Sequence, residues 1–481
     1  MVIEMKKQAL NPYLPSYEYV PDGEPYVFGD RVYVYGSHDR FGGKGFCLND
    51  YVCWSAPVDD LGDWRNEGVI YTKMQDPLNV NGKQNIYAPD LQKGLDGKYY
   101  LFYALNRSTV ISVAVCETPA GKYEFHGHVS YPDSHICGTK EGEIHNFDPG
   151  VFIDEDGRIY LYTGFSPVGL MYKILKKRKR LLEGSYVIEL EQDMITIKGE
   201  PKLVLPGPRL AVGTDFEANA FYEASSMRKI GDIYYLIYSS INSHELCYAI
   251  SKYPDKDFVY GGVLVSNGDI GIEGNTKPLN YTGNTHGSMV QIKDEWYVFY
   301  HRHTNRNYFS RQGCAERLEM NADGSINQAE ITSCGLNGEP LSAIGEYEAR
   351  IACNLSSKKG TTISKQAKKG NNHPYFTQSG NDREANGDQY IANMKDEAWS
   401  GFKYFAFNGE NEISITVRGK CSGFMIVTTG HGSQQIAKIP VEASNDWKNY
   451  STSMDKISGK QALYFTFIGK GALDFKSFKI S

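Results

Sequence analysis

Three acidic positions in this chain sit where carboxylates could do chemistry. The segment VPDGEP (20–25) offers Asp22 and Glu24, HNFDPGVFIDEDG (145–157) carries Asp148 ahead of a proline, and FYEASSMRKIGDIYYL (221–236) places Glu223 at the head of a strand-like run. A lone carboxylate in such a setting is ordinarily a turn or cap residue. Here each lies a few residues upstream of a recurring aromatic phrase, so the three occupy equivalent places. If those places converge, three carboxylates sharing one small cavity cannot all ionise easily, and their pKa values must separate. One ionised base beside one protonated acid is the equipment of acid–base hydrolysis, and of glycoside hydrolysis in particular.

The elements that must position these groups follow from the phrase itself. It reads GDRVYVYGSHD from Gly29, DGKYYLFYALN from Asp96, DGRIYLYTG from Asp156, GDIYYLIYSS from Gly231 and KDEWYVFYHRH from Lys293, spaced by about 60 to 75 residues. Each is a tight turn leading into a strand of alternating aromatic and aliphatic residues. Five such units suit radial four-stranded sheets around an axis, and equivalent positions would then meet at that axis. An open array of sandwich sheets is the alternative arrangement. After about residue 340 the texture changes. The polar, basic stretch 356–374 reads as an exposed loop, and GDQYIANM, WSGFKYFAF, NEISITVRG, GFMIVTT, KQALYFTFIG and LDFKSFKI are short strands with turns between them. They predict a β-sandwich, with YEARIACNL as its first strand. The expected class is therefore all-β, a five-bladed β-propeller over 1–340 followed by a sandwich over 341–481.

Bulk properties agree. The chain has 481 residues, too many for one ordinary domain, with 35 Tyr and 49 Gly in a composition that is 41% hydrophobic. No apolar run is long enough to span a bilayer. A net charge of -6 and a pI near 6.0 argue against a nucleic-acid or membrane-surface partner, which would call for a basic stripe or tail. The N-terminus lacks the apolar stretch of a secretory signal. Nine scattered Cys without a CxxC pair suit buried thiols in a reducing compartment. The expected location is cytoplasmic.

The motifs NPYLP…VPDGEPYVFGDRVYVYGSHD, IYAPDL, FDPGVFIDEDGRIYLYTG, FYEASSMRKI, THGSMV and SRQGCAE, in that order, resemble glycoside hydrolase family 43 over roughly residues 10–340. The resemblance implies that Asp22 is the base that activates water, Asp148 the group that modulates pKa, and Glu223 the acid. Asp22 is followed here by Gly, and the Pro follows Glu24, so Glu24 stands as the alternative base. The resemblance also implies an axial His286 that binds a metal or its waters, calcium before zinc, with a purely structural histidine as the alternative. It implies an Arg311 that reaches sugar hydroxyls, with a surface ion pair as the alternative. It makes Tyr87 a wall beside the sugar, unless Tyr87 is merely buried. The C-terminal unit resembles a family 6 carbohydrate-binding module, with Tyr390, Trp399 and Trp447 as candidate stacking residues or as core. The implied activity is inverting, exo-acting release of terminal α-L-arabinofuranose, with β-D-xylose as a further product, from short oligosaccharides. The alternatives are a main β-xylosidase activity, an endo-arabinanase, or a non-catalytic sugar-binding propeller. No organic cofactor is expected, and the oligosaccharide substrate is the expected partner.

Overall fold

A computed structural model describes residues 7–361, 372–384 and 388–481. It is an all-β molecule, and the 7-residue segment Gly169–Leu175 is the α-helix among the described residues. Five four-stranded antiparallel sheets come first along the chain. The first runs Glu24–Phe28, Arg31–Tyr35, Tyr51–Pro57 and Arg65–Tyr71, each strand pairing with the next through short turns. The other four repeat this simple order. Each aromatic phrase supplies the second strand of its sheet, and Tyr99–Leu105 is buried along its whole length and apolar throughout, as a strand covered on both faces should be.

The opening strands of the five sheets are Glu24–Phe28, Ile86–Lys93, Gly150–Ile153, Phe221–Ile230 and Met289–Ile292. Consecutive ones touch from the first to the fourth, and the fifth touches the first. The fourth and fifth are joined by Arg228 Nε donating to the Met289 carbonyl (2.9 Å) and by the Ser226 and Ser288 hydroxyls (2.9 Å). Gly287 and Gly150 permit such close approach. A Cβ on Gly287 would lie 2.0 Å from the Phe299 carbonyl oxygen, and one on Gly150 would lie 2.2 Å from that of Ser225.

Beyond the fifth sheet come two six-stranded sheets. The strands Ala398–Asn408, Ser458–Gly471 and Leu473–Ile480 bring Phe402, Phe405, Phe465, Phe475 and Phe478 to the centre of their shared core, with a register shift between Phe402 and Phe405 that lets both face inward. YEARIACNL gives two short strands, Gly345–Glu348 and Asn354–Ser356, separated by a 3-10 turn, and not a single strand. Residues 362–371 of the expected 356–374 loop lie outside the described residues. The two units share buried polar contacts: Lys403 Nζ donates to Asp269 (2.7 Å) and Arg302 Nη1 to the Ala352 carbonyl (3.0 Å).

One sequence expectation needs correction here. Lys176–Arg180 is a run of five basic residues, four of them exposed, directly after the helix. The acidic net charge conceals this local basic stripe. No helix among the described residues is long and apolar enough to cross a membrane.

Candidate active site

A pocket with about 400 Å³ of space not filled by atoms, part of it open to solvent, lies where the five opening strands begin. Each sheet sends at least one residue to it: Asp22, Tyr87, Asp148, Glu223 and His286 stand at or just before the start of successive opening strands. Equivalent positions thus converge. Arg311, from the last long strand of the fifth sheet, completes the set. The six residues expected at the propeller site line one cavity, and Glu24, the alternative base, does not.

Local backbone explains the aim of each acid. Asp22 (φ 57°) and Asp148 (φ 45°) both take the left-handed conformation two residues before their strands. Asp tolerates that region better than most side chains do. Glu223 lies inside its strand, between two register jumps, and Ala224 beside it has φ 68°. A bulge of this kind bends the strand and redirects a side chain.

The electrostatics separate the carboxyls. Asp22 is buried, which opposes ionisation, but the Arg311 guanidinium together with His301 and His286 outweighs burial and holds its carboxyl well below the usual range. Arg311 Nη1 donates to Asp22 Oδ1 at 2.9 Å. Glu223 is shifted the other way: burial pushes it well above the ordinary carboxylate range, and the nearby charge of Asp148 adds more than that of Asp22. Burial also raises Asp148, against the pull of His286, whose Nδ1 is 3.6 Å from Asp148 Oδ2. For His286 burial favours the neutral ring, yet Asp148, Asp22 and Glu24 reverse this and raise its pKa to about 9. These shifts favour the ionised form of Asp22, the protonated form of Glu223 and the imidazolium form of His286.

Arg311 is 2% exposed, so it is no surface ion pair. Its Nε and Nη2 grip both oxygens of Asp39 (2.8 and 3.0 Å) while Nη1 reaches Asp22. This fork geometry is what a planar guanidinium supplies and an ammonium does not. Tyr87 is partly buried and meets Phe147 edge-on, with ring centroids 5.9 Å apart. Glu24 does not line the pocket. Its Oε2 accepts from Arg228 Nη2 and Ser226 Oγ, both at 3.0 Å, one layer below.

Sequence reading missed several supporting residues. His301 donates from Nε2 to the Asn284 carbonyl (2.8 Å), which leaves Nδ1 to accept the Asp22 amide proton (3.3 Å). The carbonyl can only accept, so the tautomer is fixed by its partner. Asp39 was legible only as part of SHD, and nothing in its spacing announces that it holds Arg311. Phe46, Cys47 and Asn284 also line the pocket, and they come from loops.

Among the described residues no group of three or more His, Cys, Asp and Glu side chains is placed to hold a metal ion. His286 Nε2 lies 3.8 Å from Glu24 Oε1, a buried oxygen with no hydrogen-bond partner.

Residues 16–326 match the glycosyl hydrolases family 43. The chain belongs to that family. It is 53% identical over 484 aligned positions to a xylosidase/arabinosidase of Thermoclostridium stercorarium, covering 99% of both chains. Among solved structures it resembles a family 43 arabinoxylan arabinofuranohydrolase from Bacillus subtilis in complex with cellotetraose. That match has 19% identity and a TM-score of 0.51, over 98% of this chain and 97% of that one. It also resembles a β-xylosidase/α-arabinofuranosidase from a compost metagenome in complex with xylotriose, described as a calcium-free form. There the identity is 25% and the TM-score 0.52, over 67% of this chain and 98% of that one. This protein is a glycoside hydrolase.

Proposed function

We propose that the enzyme is exo-acting and inverting, and releases terminal α-L-arabinofuranose, together with β-D-xylose, from short xylan- or arabinan-derived oligosaccharides. The observation that carries this reading is the opposite perturbation of two carboxyls in one pocket, Asp22 downward and Glu223 upward. In this proposal Asp22 takes a proton from water, and Glu223 gives its own to the leaving glycosidic oxygen. Asp148 keeps Glu223 protonated through its charge. Arg311 and His301 hold Asp22 in place, and Tyr87 walls the sugar. The resemblance to a named xylosidase/arabinosidase along nearly the full chain supports the pentose substrates. Inversion requires the Asp22 and Glu223 carboxyls to stand roughly 6.5 to 9.5 Å apart, leaving room for water.

The five sheets are proposed as the blades of a propeller over residues 1–340, and the two larger sheets as a sandwich over 341–481. The ring of contacts among the opening strands supports the first assignment, and the shared phenylalanine core supports the second. The sandwich is proposed as a structural partner and not as a sugar-binding module. Trp399 and Tyr390 are only 7% and 8% exposed, so neither offers a free ring face. A cytoplasmic location belongs to the same proposal, supported by nine free cysteines.

Calcium enters as a structural element. His286 Nε2 and the unpartnered Glu24 Oε1 fit one cation held mainly through water, where it would supply positive charge beneath the pocket. An imidazolium has no lone pair to offer, so calcium and the proton compete for His286, and calcium should bind more tightly as pH rises towards 9. Calorimetric titration at pH 6 and pH 8.5 tests this; equal affinity at both removes His286 from the site.

Aryl α-L-arabinofuranoside and aryl β-D-xyloside assayed side by side, with the product anomer read by NMR, test the whole reading. Retention of configuration, or cleavage confined to internal bonds of arabinan, would replace it.

A further inference from the structure

The second unit does not stop at the back of the first. Its strands Tyr375–Ser379 and Asp388–Met394, and the described residues between them, reach the loop that follows the first aromatic phrase. Asp382 Oδ1 accepts the backbone N–H of Phe41 at 2.6 Å, and Oδ2 accepts from Asn49 Nδ2 at 3.1 Å. These two contacts tie both ends of the 41–49 segment to one carboxylate. Asn49 Nδ2 also donates to the Asp39 carbonyl (3.0 Å), and the Cys47 N–H donates to Asp39 Oδ1 (2.9 Å). Asp39 in turn holds Arg311 with both oxygens, and Arg311 holds Asp22. An unbroken series of polar contacts therefore runs from the second unit to the pocket.

The neighbouring contacts point the same way. Buried Gln378 accepts from the Tyr19 hydroxyl at 2.8 Å. Gln389 Nε2 donates to Gln312 Oε1 at 3.0 Å, directly beside Arg311. The Arg306 guanidinium lies 4.4 Å from the Tyr375 ring centroid, bracing the loop that precedes Arg311. A unit serving only as a tethered sugar binder would have no reason to grip both loops that meet at one arginine.

We infer that the second unit is a strut for the catalytic base, and that Asp382 is a positioning residue acting on Asp22 through the 41–49 loop, Asp39 and Arg311. The inference rests on the assignment of Asp22 as the base. Without Asp382 the loop loses its outer anchor, Asp39 gains freedom, and the Arg311 fork that keeps Asp22 ionised loosens. Geometry at the base suffers while the sugar-contacting wall stays, so the loss should fall on kcat and not on KM.

The test uses the full chain and aryl arabinofuranoside. Asp382→Ala should lower kcat about tenfold with KM within twofold, and should move the acid limb of kcat/KM to higher pH, because Asp22 becomes easier to protonate. Asp382→Asn keeps an acceptor for the Phe41 amide and should recover part of the loss. Asn49→Ala combined with Asp382→Ala should cost little more than either alone, since both cut the same series. Asp22→Asn, run in the same assay, separates the two levels. Turnover retained there overturns the assignment of the base, and this inference with it. If Asp22→Asn is inactive while Asp382→Ala keeps the wild-type kcat and acid limb, the strut alone is overturned. A lower kcat in Asp382→Ala accompanied only by a lower melting temperature, with the acid limb unmoved, also overturns it, because the role is then merely structural.

Discussion

At the middle of the second unit, the rings of Phe402, Phe405, Phe465, Phe475 and Phe478 meet with centroid separations from 4.9 to 6.4 Å. At the middle of the first unit stand Asp22, Asp39, Asp148, Arg311 and His286, with Glu24, Arg228 and Asp90 in the layer below. Both centres are buried and both are framed by strands rich in aromatic residues. They differ in what burial does. Around the phenylalanines it removes apolar surface from water and stabilises the fold directly. Around the carboxylates it costs desolvation energy that the ion pairs only partly offset. What the charged centre gains in exchange is a set of pKa values forced apart. Asp90 illustrates the pressure: burial and the adjacent Glu24 charge raise it to about 7, although Tyr26 and the Val151 amide both hydrogen-bond to it.

The comparison breaks first if the charged centre is not where turnover lives. Asp22→Asn should reduce kcat on every substrate by about 10³ to 10⁴-fold, since Asp22 is the pocket carboxyl held below the usual range while Asp148 and Glu223 are raised. Glu223→Gln should approach that loss on natural oligosaccharides, whose leaving oxygen needs a proton, and should lose far less on activated aryl glycosides. Steady-state kinetics on both substrate types checks this. An Asp22→Asn enzyme with near-normal turnover beside an inactive Glu24→Gln enzyme would move the base to the lower layer.

The second centre should fail differently. Phe478 touches four other rings of the cluster and is 1% exposed, so Phe478→Ala should cost about 3–5 kcal/mol of stability. Below the new melting transition kcat should stay within about twofold of wild type. Denaturant unfolding and kinetics at 15 °C test the pair of statements. A kcat that collapses while the chain is still folded would mean the two centres are coupled through more than the contacts at Asp382.

How far these centres were legible follows from the same distinction. The all-β class and the recurrent strands were readable, because alternation and Gly/Asp turns are local signals repeated along the chain. Asp22, Asp148 and Glu223 were found by their place relative to those repeats, and the pocket gathers all three. Asp39, His301 and Asp382 were not found. Their importance comes from long-range partners: Arg311 is 272 positions from Asp39, and Asp382 is 341 from Phe41. No local pattern encodes such pairings. Trp399 and Tyr390 were left open between stacking and core for the opposite reason, because an aromatic in a strand looks the same whether its ring faces solvent or is covered. Trp399 stacks on His431 at 4.3 Å, and Tyr390 accepts from Arg418. The basic run at 176–180 was hidden by averaging over the whole chain.

A smaller effect sharpens the energetic half of the comparison. Glu223 has a raised folded pKa, so above its unfolded value, near 4.3, the unfolded chain releases a proton that the folded chain keeps. That lowers stability progressively as pH climbs towards the folded pKa. Asp22 has the reverse sign. Its folded pKa is depressed, and its contribution is present above about pH 4 and lost only as pH falls through the folded value. At pH 7, Glu223→Gln should therefore raise stability by roughly 1 kcal/mol, while Asp22→Asn should lower it by several times as much through loss of the Arg311 pair. Lowering the pH to 4.5 should erase the gain in Glu223→Gln. Calorimetric melting at the two pH values would reveal it; a Glu223→Gln protein less stable than wild type at pH 7 contradicts the assigned strain.

The smallest expected effect concerns Trp447, the one sandwich aromatic among the three candidates that is only half-buried. Sugar stacking requires a ring face open to the ligand. Here the Arg418 guanidinium lies 4.3 Å from the Trp447 ring centroid, the Lys476 ammonium lies 5.5 Å away, and Tyr390 meets the ring edge-on at 5.2 Å. Arg418 is itself fixed, bonded to Asp474 at 3.2 Å and to the Tyr390 hydroxyl at 2.9 Å. A cation held in this way over an indole contributes about 0.5–1 kcal/mol, and a sugar would have to displace it. Trp447→Ala should accordingly cost about 1 kcal/mol of stability and leave the affinity for xylo-oligosaccharides unchanged. The binding measurement is best made in the Glu223→Gln background, where turnover does not consume the ligand. A tenfold weaker affinity there, with the kcat for aryl glycoside intact in the parent background, would make the second unit a sugar platform as well as a support, and the division between a chemical centre and a structural one would no longer hold.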